Sequence, residues 1–177
     1  MPENNTETLP KLFKILHDNM TRIAPTGCSY EDDLQLWMDY VTPLVRSGEV
    51  RFLLMYMGKD LAGYFQYRIE DDILWADEVE IRAEYQRTKL FYRFCIYLLS
   101  CLPTQVRYII SYVRKENHNS IGIHEHLGME RIGENPSGSS WCYRGELDRA
   151  AEVLRRIEKR IATPVCALAR NDEKNRK

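Results

Sequence analysis

Asn117-His118-Asn119-Ser120-Ile121-Gly122-Ile123-His124-Glu125-His126-Leu127-Gly128-Met129 is the stretch on which the reading of this chain turns. Its spacing predicts a helix from about Asn117 to Leu127, closed by Gly128, which takes a positive φ without strain. Two strands follow, near Met129 to Gly133 and Ser140 to Leu147, with the turn-forming run Asn135-Pro136-Ser137-Gly138-Ser139 between them. On the other side, Val106 to Val113 is densely β-branched and aromatic, which predicts a strand covered on both faces.

Further upstream the period changes twice. Leu90, Phe94, Tyr97, Leu98 and Cys101 give an amphipathic helix ended by Leu102-Pro103. Val50 to Met57, the turn Gly58-Lys59-Asp60, and Leu61 to Ile69 predict a hairpin, and Glu70-Asp71-Asp72 reverses the chain into a third strand from about Ile73 to Arg82. Two helices precede it. Leu12, Ile15, Leu16, Met20 and Ile23 mark the first, stopped by Pro25-Thr26-Gly27. In the second, Ser29 and Asp32 stand like a capping pair before the stripe Leu34, Trp37, Met38, Val41, Val45, with Pro43 placed to kink the last turn. Leu154, Ile157 and Ile161 mark a C-terminal helix. Strands that alternate with helices in the middle and pair as hairpins at the ends imply an α/β (mixed α+β) fold, a mixed sheet covered by helices.

Composition bounds the function. The 177 residues are 44% apolar and 29% charged, enough for about one domain, which is read as 9–163 with loose ends 1–8 and 164–177. Twenty-five basic against 26 acidic residues leave a net charge of −1, so no global field attracts nucleic acid or an anionic membrane. The longest apolar runs, such as Phe52 to Met57, fall far short of the roughly 20 residues of a membrane span. With a polar, acidic start in place of a secretory signal, the chain reads as cytoplasmic. Cys28, Cys95, Cys101, Cys142 and Cys166 show no C-x-x-C pair, so neither a disulfide framework nor a metal site is expected. Trp37, Trp75 and Trp141 are read as core residues with the option of lining a pocket.

The 117–129 stretch resembles the motif of the GNAT superfamily of N-acetyltransferases in which Asn-x-x-Ala/Ser opens a helix and Glu-Lys-Leu-Gly-Phe closes it, with Met129 in place of the Phe. Val79-Glu80-Ile81-Arg82-Ala83-Glu84-Tyr85-Gln86-Arg87 is similar to the end of that family's fourth strand and its entry into the cofactor loop, and Gly63 stands where many members carry a Gly before an aromatic. The order of elements from Val50 to Leu147 agrees as well. At the front the family usually opens with a strand, and here a polar tail precedes the first helix.

The resemblance implies a mostly antiparallel sheet with a central splay and helices on both faces. It implies an N-acetyltransferase that moves acetyl from acetyl-CoA, with no metal, to a primary amine of a small molecule or peptide. In that splay the backbone of Val79, Glu80 and Ile81 would bond the amide-bearing arm of acetyl-CoA like a neighbouring strand, and an N–H near Val79 or Ile81 would face the oxyanion. The pyrophosphate would meet the loop Gln86, Arg87, Thr88, Lys89, Leu90, Phe91, with Asn117, Ser120 and His124 also at the cofactor. The family pattern there is Gln/Arg-x-x-Gly-x-Gly/Ala, and Lys89 and Phe91 replace both small residues. Either Arg87, Lys89 and Arg93 hold phosphate by charge, or Phe91 fills the site; the second outcome leads to the alternative of a catalytically degenerate binding or regulatory module.

His124 occupies the position of the family's proton-donating Tyr and could donate as imidazolium or hydrogen bond while neutral. For the general base the choice is Glu80, then Glu78, on one face of the third strand with Asp77 turned the other way, unless these carboxylates only form an acidic edge. With Glu70, Asp71 and Asp72 they suit a cationic acceptor. The partners expected are that amine and at most a second copy of the chain.

Overall fold

Period-two alternation along residues 51–81 produces three strands, and the computed structural model, which describes residues 6–86 and 88–174 and side chains as far as 160, pairs them in chain order. β1 (Arg51–Met57), β2 (Asp60–Glu70) and β3 (Ile73–Ile81) form an antiparallel meander. β4 (Tyr108–Arg114), β5 (Glu130–Glu134) and β6 (Ser140–Glu146) complete a six-stranded sheet of order β1-β2-β3-β4-β6-β5. β3 and β4 are parallel, and every other neighbouring pair is antiparallel.

Among the described residues five α-helices cover the sheet: α1 (Leu9–Met20), α2 (Tyr30–Ser47), α3 (Leu90–Cys101), α4 (His118–His126) and α5 (Leu147–Lys174). Ser29 caps α2 as its sequence predicts, its Oγ accepting from the Asp32 N–H at 3.1 Å and donating to the Asp32 carboxylate at 2.8 Å. The helix runs on through Pro43 to Gly48, which closes it at φ 79°. On one face Leu9, Leu12 and Ile15 of α1 and Val41 and Val45 of α2 bury against Phe52 and Tyr64 of the sheet. On the other, Phe94 and Leu98 of α3 pack on Phe65, Leu74 and Ala76, while Leu154 of α5 joins Val113, Leu127 and Tyr143. Each such Leu, Val or Phe contributes about 1.5–3 kcal/mol by leaving water.

One expectation changes. β4 is not covered on both faces, since Tyr112 is 47% exposed. A single 3-10 turn, Thr6–Thr8, precedes α1, so among the described residues no strand opens the fold. The remainder of the expected front tail, residues 1–5, lies outside the described residues, as do the side chains of the expected rear tail 164–177, whose backbone continues in α5 to Lys174. No helix among the described residues is long and apolar enough to cross a membrane.

Gly63 is required by close approach. It pairs with Ile81, and a Cβ there would overlap the Glu80 carbonyl oxygen and lie 3.2 Å from the Ile81 Cα. Gly63→Ala is therefore expected to cost about 1–3 kcal/mol in urea unfolding. Gly133→Ala, whose Cβ meets nothing within 4 Å, should stay within about 0.5 kcal/mol.

Candidate functional site

The site begins with one extra residue in β3. Gln66 pairs with Glu78 and Tyr67 with Ala76, so Asp77 is a bulge with no partner on β2. Its effect is visible in what β3 buries. Leu74 and Ala76 face the α3 side before the bulge, Val79 and Ile81 face it afterwards, and the alternation has slipped by one. A bulge also sharpens the strand's twist. The parallel ladder with β4 accordingly holds for three pairs, Ile73 with Tyr108, Leu74 with Ile109 and Trp75 with Ile110, and then the strands separate. At the narrow end of this opening Trp75 stacks on Tyr112 with ring centroids 6.4 Å apart.

The bulge corrects one expectation. Asp77 does not turn away from Glu78: it lies 3.5 Å from the Arg68 guanidinium, and Arg68 shares the face of β2 that carries Tyr64, whose hydroxyl donates to Glu78 at 2.7 Å. Two adjacent residues of a bulge thus face the same side, which strict alternation forbids.

Backbone groups along the opening follow from alternation. The Arg82 N–H donates to Ala62 of β2 at 2.9 Å, so the N–H and C=O of Ile81 and Val79 point the other way, into the opening, while those of Glu80 point to β2. The Ile81 carbonyl accepts from Asn19 Nδ2 at 3.0 Å and from Gln86 Nε2 at 2.9 Å.

Glu78 and Glu80 project together toward α1 and α2. Glu80 Oε2 accepts from Asn19 Nδ2 at 2.6 Å. Burial pushes the Glu80 carboxyl up to about 8, against the lowering effect of the Asn19 bond and with a further raise from Glu78. Burial likewise pushes Glu78 up to about 7, opposed by the Tyr64 hydrogen bond and by the Trp37 indole, although the buried Trp37 N–H completes no hydrogen bond of good geometry. Tyr64, fully buried, is held well above its ordinary range by desolvation and then by both carboxyls.

The loop before α3 carries the remaining candidates. Arg87 lies outside the described residues. Thr88 Oγ1 donates to the Tyr85 carbonyl at 2.7 Å and accepts from the Leu90 N–H at 3.2 Å, which supplies the cap that the exposed Lys89 does not. Phe91 is half-buried and packs against both apolar clusters that flank the opening, so it narrows the wide end. On α4, Asn117 Oδ1 accepts from the Ser120 N–H at 3.1 Å and is committed to the helix cap. His124 sits against Tyr143, ring centroids 5.3 Å apart, within the cluster on the α3 side, on the opposite face of the sheet from Glu78 and Glu80. Its Nδ1 donates to the Ser120 carbonyl at 2.7 Å, which leaves Nε2 as the free ring nitrogen, and burial lowers its pKa.

Three polar residues of this region escaped the sequence reading. Asn19 had a signal, because it continues the inward stripe Leu12, Ile15, Leu16 of α1, where a polar side chain needs a reason. Gln66 and Ser111 had none. Both are buried, and Gln66 Oε1 and Ser111 Oγ have no hydrogen-bond partner.

No protein-family model matches the sequence, and neither does any curated protein. Solved structures do match. An acetyltransferase from Thermus thermophilus superposes with a TM-score of 0.66 at 18% identity, over 82% of this chain and 94% of that one. PaiA N-acetyltransferase from Thermoplasma acidophilum, in complex with coenzyme A, gives 0.60 at 14% identity, over 79% and 93%. An aminoglycoside acetyltransferase, also in complex with coenzyme A, gives 0.60 at 17% identity, over 81% and 91%. At these identities the likeness is one of fold: the chain has the fold of the GNAT acetyltransferases.

The raised carboxyls make stability depend on pH. Glu78 and Glu80 ionise near 7 and 8 in the fold but at the ordinary value of 4.5 when unfolded. Between these limits the folded state binds more protons, so their contribution is complete below the unfolded value and is lost as pH rises through 7 to 8. Thermal melts should show Glu80→Gln raising Tm by roughly 3–6 °C at about pH 8.5, with almost no change at about pH 5.

Proposed function

We propose that this protein transfers an acetyl group from acetyl-CoA to a primary amine of a small molecule or peptide by direct attack. The observation that carries this reading is the opening between β3 and β4, lined by the backbone N–H and C=O of Val79 and the N–H of Ile81 and backed by the half-buried Glu80. An amide-bearing ligand supplies the hydrogen bonds that a missing neighbour strand leaves unmade, so the residues present fit such a donor. The N–H groups of the first turn of α3, with Lys89 and Arg93 beside them, are suited to phosphate.

Acetyl-CoA, when bound, supplies a thioester carbonyl open to attack by an amine. The chain's own groups then have distinct tasks. The carbonyl of Val79 accepts a hydrogen bond from the pantetheine arm, and the N–H of Val79 or Ile81 faces the oxygen on which charge develops. Glu80, once ionised, takes a proton from the bound ammonium so that the free amine can attack, with Glu78 as its reserve. The departing thiolate takes the proton that the acylated nitrogen loses, through water or through Nε2 of His124 when that ring is protonated; the neutral ring, with Nδ1 engaged, presents only an acceptor there and donates nothing.

Phe91 favours a second reading, a module that keeps the fold and has lost catalysis, because its ring packs where the family pattern calls for a small residue. Calorimetric titration separates the two. Micromolar binding of acetyl-CoA, followed by thiol release with members of an amine panel, is expected for the enzyme; no heat and no thermal shift at millimolar ligand supports the module. In the enzyme, Glu80→Gln should lower kcat by about 10²-fold or more with KM for acetyl-CoA little changed, and His124→Ala by less than about tenfold. Phe91→Ala should tighten acetyl-CoA binding.

A further inference from the structure

We propose that Asn19 is the positioning residue of this site: from α1 its one side-chain amide ties the Glu80 carboxyl, the opening-facing Ile81 carbonyl and, through Gln86, the start of the loop before α3 into a single unit. An asparagine amide has two N–H donors and one carbonyl acceptor. Here Nδ2 donates to Glu80 Oε2 at 2.6 Å and to the Ile81 carbonyl at 3.0 Å, while Oδ1 accepts from Gln86 Nε2 at 3.0 Å. Gln86 Nε2 spends its second hydrogen on the same Ile81 carbonyl at 2.9 Å. The orientation is fixed by this ring of bonds, because a flipped Asn19 amide would set oxygen against two acceptors.

Placement gives the bonds their consequence. Asn19 is 9% exposed, so its donors cannot be replaced by bulk water without opening the contact between α1 and β3. It stands between Glu80 and an open cavity of about 320 Å³ that is also lined by His17, Asp18, Arg22, Arg82 and Glu84. The titratable groups that face Glu80 are Glu78 from its own strand, whose charge opposes its ionisation, and Tyr64 from β2, which stays neutral and is itself pushed up by the Glu80 charge. Asn19 supplies the donor that favours the carboxylate, and it supplies this from a helix that the reaction does not otherwise use. Its bond to Ile81 also fixes which backbone groups stay free along β3: the Ile81 carbonyl is taken, whereas the Ile81 N–H and both groups of Val79 are left for a ligand. Gln86 is exposed, so the loop end of the unit is the part that a bound ligand can draw on.

The positioning role rests on the acetyl-transfer reading for its catalytic meaning, and its test does not. Carbon-13 NMR of glutamate carboxyls in the ligand-free protein, with Glu80→Gln assigning the resonance, reads the Glu80 midpoint directly. Asn19→Leu should move that midpoint up by about one pH unit. Asn19→Asp, of the same shape but with an acceptor in place of the donor, should also move it up and stands in if the leucine variant does not fold. Gln86→Leu should leave the midpoint in place and weaken acetyl-CoA binding in calorimetry. An unmoved Glu80 midpoint in a folded Asn19 variant overturns the proposal, as does a Gln86→Leu protein that shifts the midpoint as far as Asn19→Leu does. Absence of acetyl-CoA binding in the unmutated protein would remove the acetyl-transfer reading alone, leaving the Asn19 titration to decide the proposal.

Discussion

One unpaired residue, Asp77, governs the arrangement of everything chemically notable in this protein. A parallel pair of strands twists together along its whole length unless something separates it, and the bulge does so by turning the second half of β3 away from β4 after the Trp75–Ile110 pair. The same extra residue reverses the alternation of side chains, so that Glu78 and Glu80 face α1 and α2 while Val79 and Ile81 remain in the core with α3. Opening the sheet and burying two carboxyls are thus a single structural event.

That event has a cost. Free N–H and C=O groups along β3 and two carboxyls withdrawn from water both oppose folding. The protein offsets them with well-formed surroundings: a β2–β3 ladder that continues on both sides of the bulge, a fully buried Tyr64 donating to Glu78, and Asn19 donating to Glu80. Raised carboxyl pKa values are the visible remainder of the penalty. Stored in a cleft, such a remainder is the usual physical mark of groups that handle protons. Gln66 on β2 and Ser111 on β4, buried with unpaired oxygens, extend the same pattern to neutral groups.

The loop before α3 shows how a fold tolerates the loss of its usual small residues. Thr88 caps the helix that Lys89 cannot cap, and Phe91 finds apolar company on both flanks of the opening. Neither substitution disturbs the strand order or the splay, because those are set by β3 and by the packing of α3 through Phe94 and Leu98. The strand order and the surface of this loop are therefore governed by different residues, and likeness of architecture to acetyltransferases at 14–18% identity speaks to the fold alone.

By itself the sequence determined what depends on neighbours along the chain. The α3 helix from Leu90 to Cys101, the Ser29 cap, the hairpin around Gly58 and the α4 helix closed by Gly128 are written in periodicity and capping chemistry that act over a few residues. A shared face for Glu78 and Glu80 was also legible, since they are two apart on one strand. What only the tertiary structure decided acts across the sheet or between layers. The bulge at Asp77 is a mismatch of register between two strands, and counting along β3 alone puts Asp77 on the wrong side. Exposure of Tyr112 depends on which helices reach that end of the sheet, and the separation of His124 from the glutamates depends on which face α4 packs against. The ionisation of Glu80 was out of reach for the same reason: it is set by burial and by a donor 61 residues away in the chain, on α1.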